Sequence, residues 1–65
     1  MKVFINKNPY ELPAGATLLD AIAAIKAKPP FAAAVNTQFV PQARYAEHVL
    51  QAQDQIDIIS PVTGG

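Results

Sequence analysis

The sequence predicts an α+β fold, with one mixed sheet of four to five short strands packed on one main helix. Three observations carry that expectation. Segments with period-two alternation open and close the chain. Between them lies one stretch with helical periodicity, entered through a capping residue. Turn formers separate the segments, and no repeat or linker interrupts the 65 residues.

Residues 1–5 read as a strand, with Val3 and Ile5 on one face and Lys2 and Phe4 on the other. Asn6-Lys7-Asn8-Pro9 is rich in turn formers and leads into a second strand at Tyr10-Glu11-Leu12, giving a hairpin. Ala14-Gly15-Ala16 leads to the helix. Thr17 is the expected N-cap, and Asp20, three positions on, closes a variant of the capping box. Leu18, Ile22 and Ile25 fall at i, i+4 and i+7 and form one apolar stripe. Lys26 and Lys28 stand where the helix dipole favours cations. Pro29-Pro30 cannot continue a helix and is expected to stop it.

Residues 31–35 read as a strand despite three alanines, being short, apolar and preceded by two prolines. Asn36-Thr37-Gln38 is a turn, and Phe39-Val40 a brief strand closed by Pro41. Residues 42–50 read as a short helix or helical turn, and Ala52-Gln53-Asp54 as a turn. Residues 55–60 form the clearest strand, with Ile56 and Ile58 on one face and Asp57 and Ile59 on the other; Pro61 ends it by removing a ladder donor. The order β-β-α-β-(β)-turn-β, with one helix covering one face of the sheet, is the β-grasp or ubiquitin-like arrangement. Sheet order does not follow from the pattern. The β-grasp resemblance implies that the first and last strands lie side by side in parallel.

Composition bounds the rest. Sixty-five residues make a single domain, 1–65, with a flexible tail at 61–65. A chain of this size buries only ~60% of its unfolded surface, so its core must be compact. A hydrophobic content of 51% suits a globular fold. Formal net charge is +0 with no basic stripe, so no nucleic-acid partner is expected. No cysteine is present, hence no disulfide, thiolate metal site or thiol nucleophile. No apolar run approaches the ~20 residues that span a bilayer, and no signal-peptide pattern appears, so a cytoplasmic protein without a membrane partner is expected.

The chain ends in Thr63-Gly64-Gly65. Two glycines at one terminus arise by composition about once in 200 chains, so the ending alone is suggestive rather than decisive. Without a Cβ, both residues bend easily and fit where a side chain would clash. Such an end can carry its carboxylate into another protein's active site.

The chain resembles the sulfur carrier proteins of thiamin biosynthesis, the ThiS family, over nearly its whole length. The residues that carry the resemblance are Ala34-Val35-Asn36 followed by Val40-Pro41, the aromatic Tyr45, and Asp54-Gln55-Ile56-Asp57-Ile58 running to Pro61-Val62-Thr63-Gly64-Gly65. Two positions depart from the family pattern. Gln53 stands where a Gly usually precedes the Asp of the last turn, which implies a local difference in that turn. Gln42 stands where an Arg commonly follows the Val-Pro pair; Arg44 is the candidate substitute. The Pro61-Val62 approach to the tail also resembles the small subunit of molybdopterin synthase, the MoaD family, whose members are usually longer.

The resemblance implies a carrier, not an enzyme. A terminal carboxylate is ionised at pH 7 and is a poor electrophile, so it must be activated. On the resemblance, a ThiF-type, E1-like adenylyltransferase uses ATP and Mg²⁺ to convert the Gly65 carboxylate to an acyl-adenylate. Sulfur from a donor such as a cysteine desulfurase system then displaces AMP. The resulting thiocarboxylate delivers its sulfur to a thiazole synthase of the ThiG type. Gly64 and Gly65 are the working residues, and the chain itself holds no cofactor or metal and no catalytic residue. Phe4 and Ile59, facing away from the helix, are candidate docking residues, together with Val62 and Thr63 beside the tail. Three readings compete with this one: the molybdopterin synthase subunit, a ubiquitin-like modifier joined to lysines through Gly65, and a plain β-grasp interaction module. The lone His48 near Glu47 reads as a surface residue, lacking a Ser or Cys partner. Asp54 and Asp57, three apart on a strand, point to opposite faces and do not form an acid–base pair.

Overall fold

Two hairpins built on the same turn chemistry form the two halves of the sheet. The computed structural model describes residues 1–28 and 30–59. Strand β1 (Lys2–Ile5) pairs antiparallel with β2 (Asn8–Glu11), and β3 (Ala32–Val35) pairs antiparallel with β4 (Gln38–Val40). Each connection has two residues: Asn6-Lys7, with φ of 50° and 71°, and Asn36-Thr37, with φ of 51° and 71°. Positive φ at both central residues is what a type I′ turn requires, and its twist matches that of the flanking strands. Asn at the first position tolerates this region. Lys7 and Thr37 occupy the second position, where Gly is preferred.

The expected hairpin boundaries shift accordingly. Asn8 and Pro9 belong to β2 rather than to the turn, Gln38 belongs to β4, and Leu12 lies just past β2. Pro9 is tolerated because β2 is an edge strand, where a missing donor costs no ladder bond.

The last strand, β5 (Gln55–Ile59), joins the hairpins. The sheet order is β2-β1-β5-β3-β4, with β5 parallel to β1 and antiparallel to β3. The parallel pairing of first and last strands is the one the β-grasp resemblance implies. Register aligns Ile5, Ile56 and Val35 in one row across the three central strands, all buried. Ile58, Ala33 and Val40 form the next row. Fully burying one such aliphatic side chain stabilises the fold by about 1.5–3 kcal/mol.

Helix α1 (Leu18–Ala24) covers that face with Leu18, Ala21 and Ile22. Seven residues are too few for an isolated helix, so packing and capping hold it. Thr17 and Asp20 form the expected capping box, Asp20 N donating to Thr17 Oγ1 at 3.3 Å and Thr17 N to Asp20 Oδ2 at 2.9 Å. Residues 48–50 brace the same end: Leu18 N donates to His48 O and Leu50 N to Ala16 O.

The helix does not run to Pro29-Pro30. It ends at Ala24 in a Schellman motif, with Ala27 N donating to Ile22 O at 3.2 Å and Lys26 N to Ala23 O at 3.1 Å. Lys26 takes the left-handed position, φ 56°, and Ile25 is the C-cap. Lys26 and Lys28 therefore lie beyond the last helical turn and do not serve the dipole as expected. The left-handed turn at Lys26, closed by these two hydrogen bonds, ends the helix ahead of the prolines.

Residues 42–50 contain the expected helical turn, a 3₁₀ helix at Gln42–Arg44. Gln53 takes φ 73° and donates its N–H to Lys2 O at 2.6 Å. The last turn is thus left-handed despite the Cβ, contrary to the local change implied by the absent Gly. Holding a non-Gly residue there costs on the order of 1 kcal/mol. Thr37→Gly and Gln53→Gly should each raise unfolding free energy by about 1 kcal/mol, seen in urea titrations as a higher midpoint with unchanged slope. A lower midpoint for both would refute the strain assignment.

Candidate functional site

The chain reaches its terminal residues directly from the centre of the sheet. Ile59, the last residue of β5, pairs with Ala32 at the start of β3. Ser60, Pro61, Val62, Thr63, Gly64 and Gly65 lie outside the described residues, so the expected end of the strand at Pro61 and the tail residues lie outside them too.

Two asparagines fasten β5, Asn6 toward its exit and Asn36 at its start. Asn6 donates its N–H to Ile56 O at 2.8 Å, and its Oδ1 accepts from Ile58 N at 2.9 Å. Asn36 works from the other side: its N–H donates to Gln55 O at 2.7 Å, and its Oδ1 accepts from Gln55 N at 3.0 Å. Its Nδ2 donates to Asp54 Oδ1 at 3.1 Å, and Asp54 Oδ2 accepts from Gln51 N at 2.8 Å. In both hairpins the residue that permits the turn also replaces a ladder partner for β5. Asp54 precedes the strand rather than lying on it, and its carboxylate organises the turn. It is not a free acid or base.

The face away from the helix carries the expected docking residues. Phe4 alternates with the buried Val3 and Ile5, and Ile59 with the inward Ile58. Phe4 is half-buried, with Lys2 Nζ 5.8 Å from its ring centroid. Ile59 is 49% exposed. A third apolar residue, Phe39, is 70% exposed and was not among the residues the sequence singled out. It pairs with Ala34, which pairs with Asp57 of β5, so it belongs to the same face. Only Ala32 and Ala34 of β3 stand between Ile59 and Phe39, leaving a low apolar floor. Alternation along β4 was the available signal: if Val40 faces inward, Phe39 faces outward.

The other residues singled out by the sequence are structural or peripheral. Tyr45 is buried and stacks on Phe31, with centroids 6.0 Å apart and planes 12° from parallel. Gln42 opens the 3₁₀ helix and is exposed. Arg44 closes it and lines a shallow hollow of about 210 Å³ with Phe39, Pro41 and His48. That position places a cation beside the exposed Phe39 at the β4 edge of the sheet. His48 is half-buried; its backbone, bonded to Leu18 and Arg44, serves the fold, and its ring makes no hydrogen bond among the described residues. Among the described residues no cluster of three metal-ligating side chains exists, and no helix is long and apolar enough to cross a membrane.

Asn36→Gly keeps the left-handed turn but removes both side-chain bonds. It should cost about 1 kcal/mol and speed amide exchange at Gln55, measurable by NMR. Unchanged exchange at Gln55 would count against the fastening role.

The model of the ThiS family matches residues 3–65. The sulfur carrier protein ThiS of Escherichia coli (strain K12) is 30% identical over 66 residues, covering 100% of both chains. The crystal structure of a thiamine biosynthesis protein, ThiS, from Geobacter metallireducens superposes with a TM-score of 0.81 at 13% identity, again covering 100% of both chains. At that identity the structural likeness bears on the fold, which is the β-grasp.

Proposed function

Because the chain belongs to the ThiS family, we propose that it is a sulfur carrier of thiamin biosynthesis whose Gly65 carboxylate is the working group. The observation that supports this reading best is the position of β5. It is the central strand of the sheet, held on both edges and by two asparagine side chains, and it points the chain toward Gly64-Gly65. The described body is held by ladders on both sides of β5, and Gly64-Gly65 follow it in the sequence. The body contributes docking surface, and the chemistry belongs to partners.

The reaction follows from the carboxylate. A Gly65 carboxylate oxygen attacks the α-phosphorus of ATP, held with Mg²⁺ by a ThiF-type, E1-like adenylyltransferase, and pyrophosphate leaves. A sulfur nucleophile, supplied by a donor such as a cysteine desulfurase system, then attacks the acyl carbon. The bond from the acyl carbon to AMP breaks and AMP departs, leaving an acyl disulfide where the donor is a persulfide; a thiol reductant then attacks the donor's sulfur, forms a disulfide with it and releases the Gly65 thiocarboxylate. A thiazole synthase of the ThiG type accepts that sulfur. Adjacent Gly64 lets the end enter a narrow channel. The carrier binds no cofactor of its own and works in the cytoplasm.

Phe4, Ile59 and Phe39 form the docking face for the activating enzyme, and Val62 and Thr63, which precede Gly64-Gly65 in the sequence, are further contact residues. Intact-mass spectrometry after incubation with the activating enzyme, ATP and a sulfur donor should show one terminal oxygen replaced by sulfur. A chain lacking Gly65 should remain folded and unconverted; conversion without Gly65 would falsify the mechanism. Phe4→Asp, Ile59→Asp and Phe39→Asp should each weaken binding to the activating enzyme about tenfold, or ~1.4 kcal/mol. Circular dichroism should stay that of the parent. Parental affinity in all three variants would remove the docking assignment.

A further inference from the structure

The formal net charge of +0 conceals a separation along the sheet. Lys7 directly follows Asn6, whose side chain bonds Ile58 near the end of β5. Lys28 lies four positions before Ala32, the register partner of Ile59, and four residues reach at most ~14 Å. Lys26 takes the left-handed position just past the helix C-cap Ile25, on the way into the same connection. All three are exposed, and none forms an ion pair among the described residues. Three of the five carboxylates lie toward the other end, with Lys2 beside them, and Asp57 lies on β5 itself. Glu11 is the register partner of Lys2 at the start of β1, Asp20 sits in the first helical turn, and Asp54 precedes β5.

We infer that Lys7, Lys26 and Lys28 form a basic collar around the tail exit, and that it steers the domain onto a carboxylate-rich protein surface surrounding the entrance that receives the tail. This rests on the carrier reading above. Ile59, exposed at the last position of β5, brings the apolar face to the same end of the sheet. Its side chains are exposed rather than converging in a buried pocket, which suits a broad acidic rim better than a small anion. Three lysines are too few to track a nucleic-acid backbone. Charges placed this way act at long range, raising association rate and orienting the encounter, while apolar contacts set the lifetime of the complex. The carboxylates at the far end reinforce that orientation.

The test is stopped-flow association of the full chain with its activating enzyme, with and without ATP, at low and at molar salt. Lys7→Gln/Lys28→Gln is compared with Ala14→Glu/Ala52→Glu, whose changes lie at the opposite end, beside Leu12 and Gln53. Both variants carry a formal net charge of −2, from three basic and five acidic residues in the first and five and seven in the second. The collar variant should associate about fivefold more slowly than the parent at low salt, with dissociation unchanged, and the difference should vanish at molar salt. The control should associate at the parental rate or nearly so. Equal slowing of both variants, or parental rates for the collar variant, overturns the collar. Slowing seen only with ATP bound also overturns it, assigning the lysines to nucleotide phosphate. If the parent chain neither binds the enzyme nor gains sulfur, the carrier reading fails and the collar with it. A parent that is converted normally, with an indifferent collar variant, removes the collar alone.

Discussion

The structure depends on the pairing of β5 with β1 on one side and β3 on the other. The two hairpins share no ladder of their own, so they meet only through this strand. Each hairpin turn then contributes an asparagine that bonds β5 where regular pairing gives out. The row Ile5, Ile56 and Val35 extends across that junction and gives the helix an apolar surface to cover. A helix of seven residues persists because this surface exists, and the 48–50 segment ties its start to the same body.

The two faces of the sheet divide the work. The helix face is filled by branched aliphatic residues, with Ala21 and Ala33 allowing close approach. The open face keeps Gln55 and Asp57 on β5 but flanks them with Phe4 and Phe39. Ala32 and Ala34 keep the ground between Ile59 and Phe39 low, which suits a partner that inserts its own side chains. The domain therefore presents an apolar surface beside its exit without weakening its core.

Much of this was legible in the sequence because it depends on local rules. Alternation placed Val3, Ile5 and Ile56 inside and Phe4 and Ile59 outside, and Thr17 with Asp20 announced the helix start. The helix end is not legible because proline is a conspicuous breaker, whereas a Schellman turn with Lys26 in the left-handed position leaves no compositional mark. The hairpin turns were drawn too wide for the same reason: Lys7 and Thr37 do not advertise positive φ as Gly would. Phe39 escaped notice because its face is defined by register with Ala34, and register is a tertiary property. Asp54 lies in the turn that the sequence places at Ala52-Gln53-Asp54, but that its two oxygens accept from Asn36 and Gln51 depends on tertiary contacts.

The adjacency of the first and last strands also sets the order of assembly. Asn6 and Ile58 are 52 residues apart in the chain, so their bond closes nearly the whole sequence into one loop. Neither hairpin can complete the core before β5 arrives, because the central row lacks Ile56 until then. During synthesis this places folding after the last strand has left the ribosome, and non-local closure of this kind is slow relative to hairpin formation. A truncated chain lacks the strand that joins its halves. The apolar open face, with Phe4 on β1, Ile59 on β5 and Phe39 on β4, is thus complete only once β5 has joined the two hairpins.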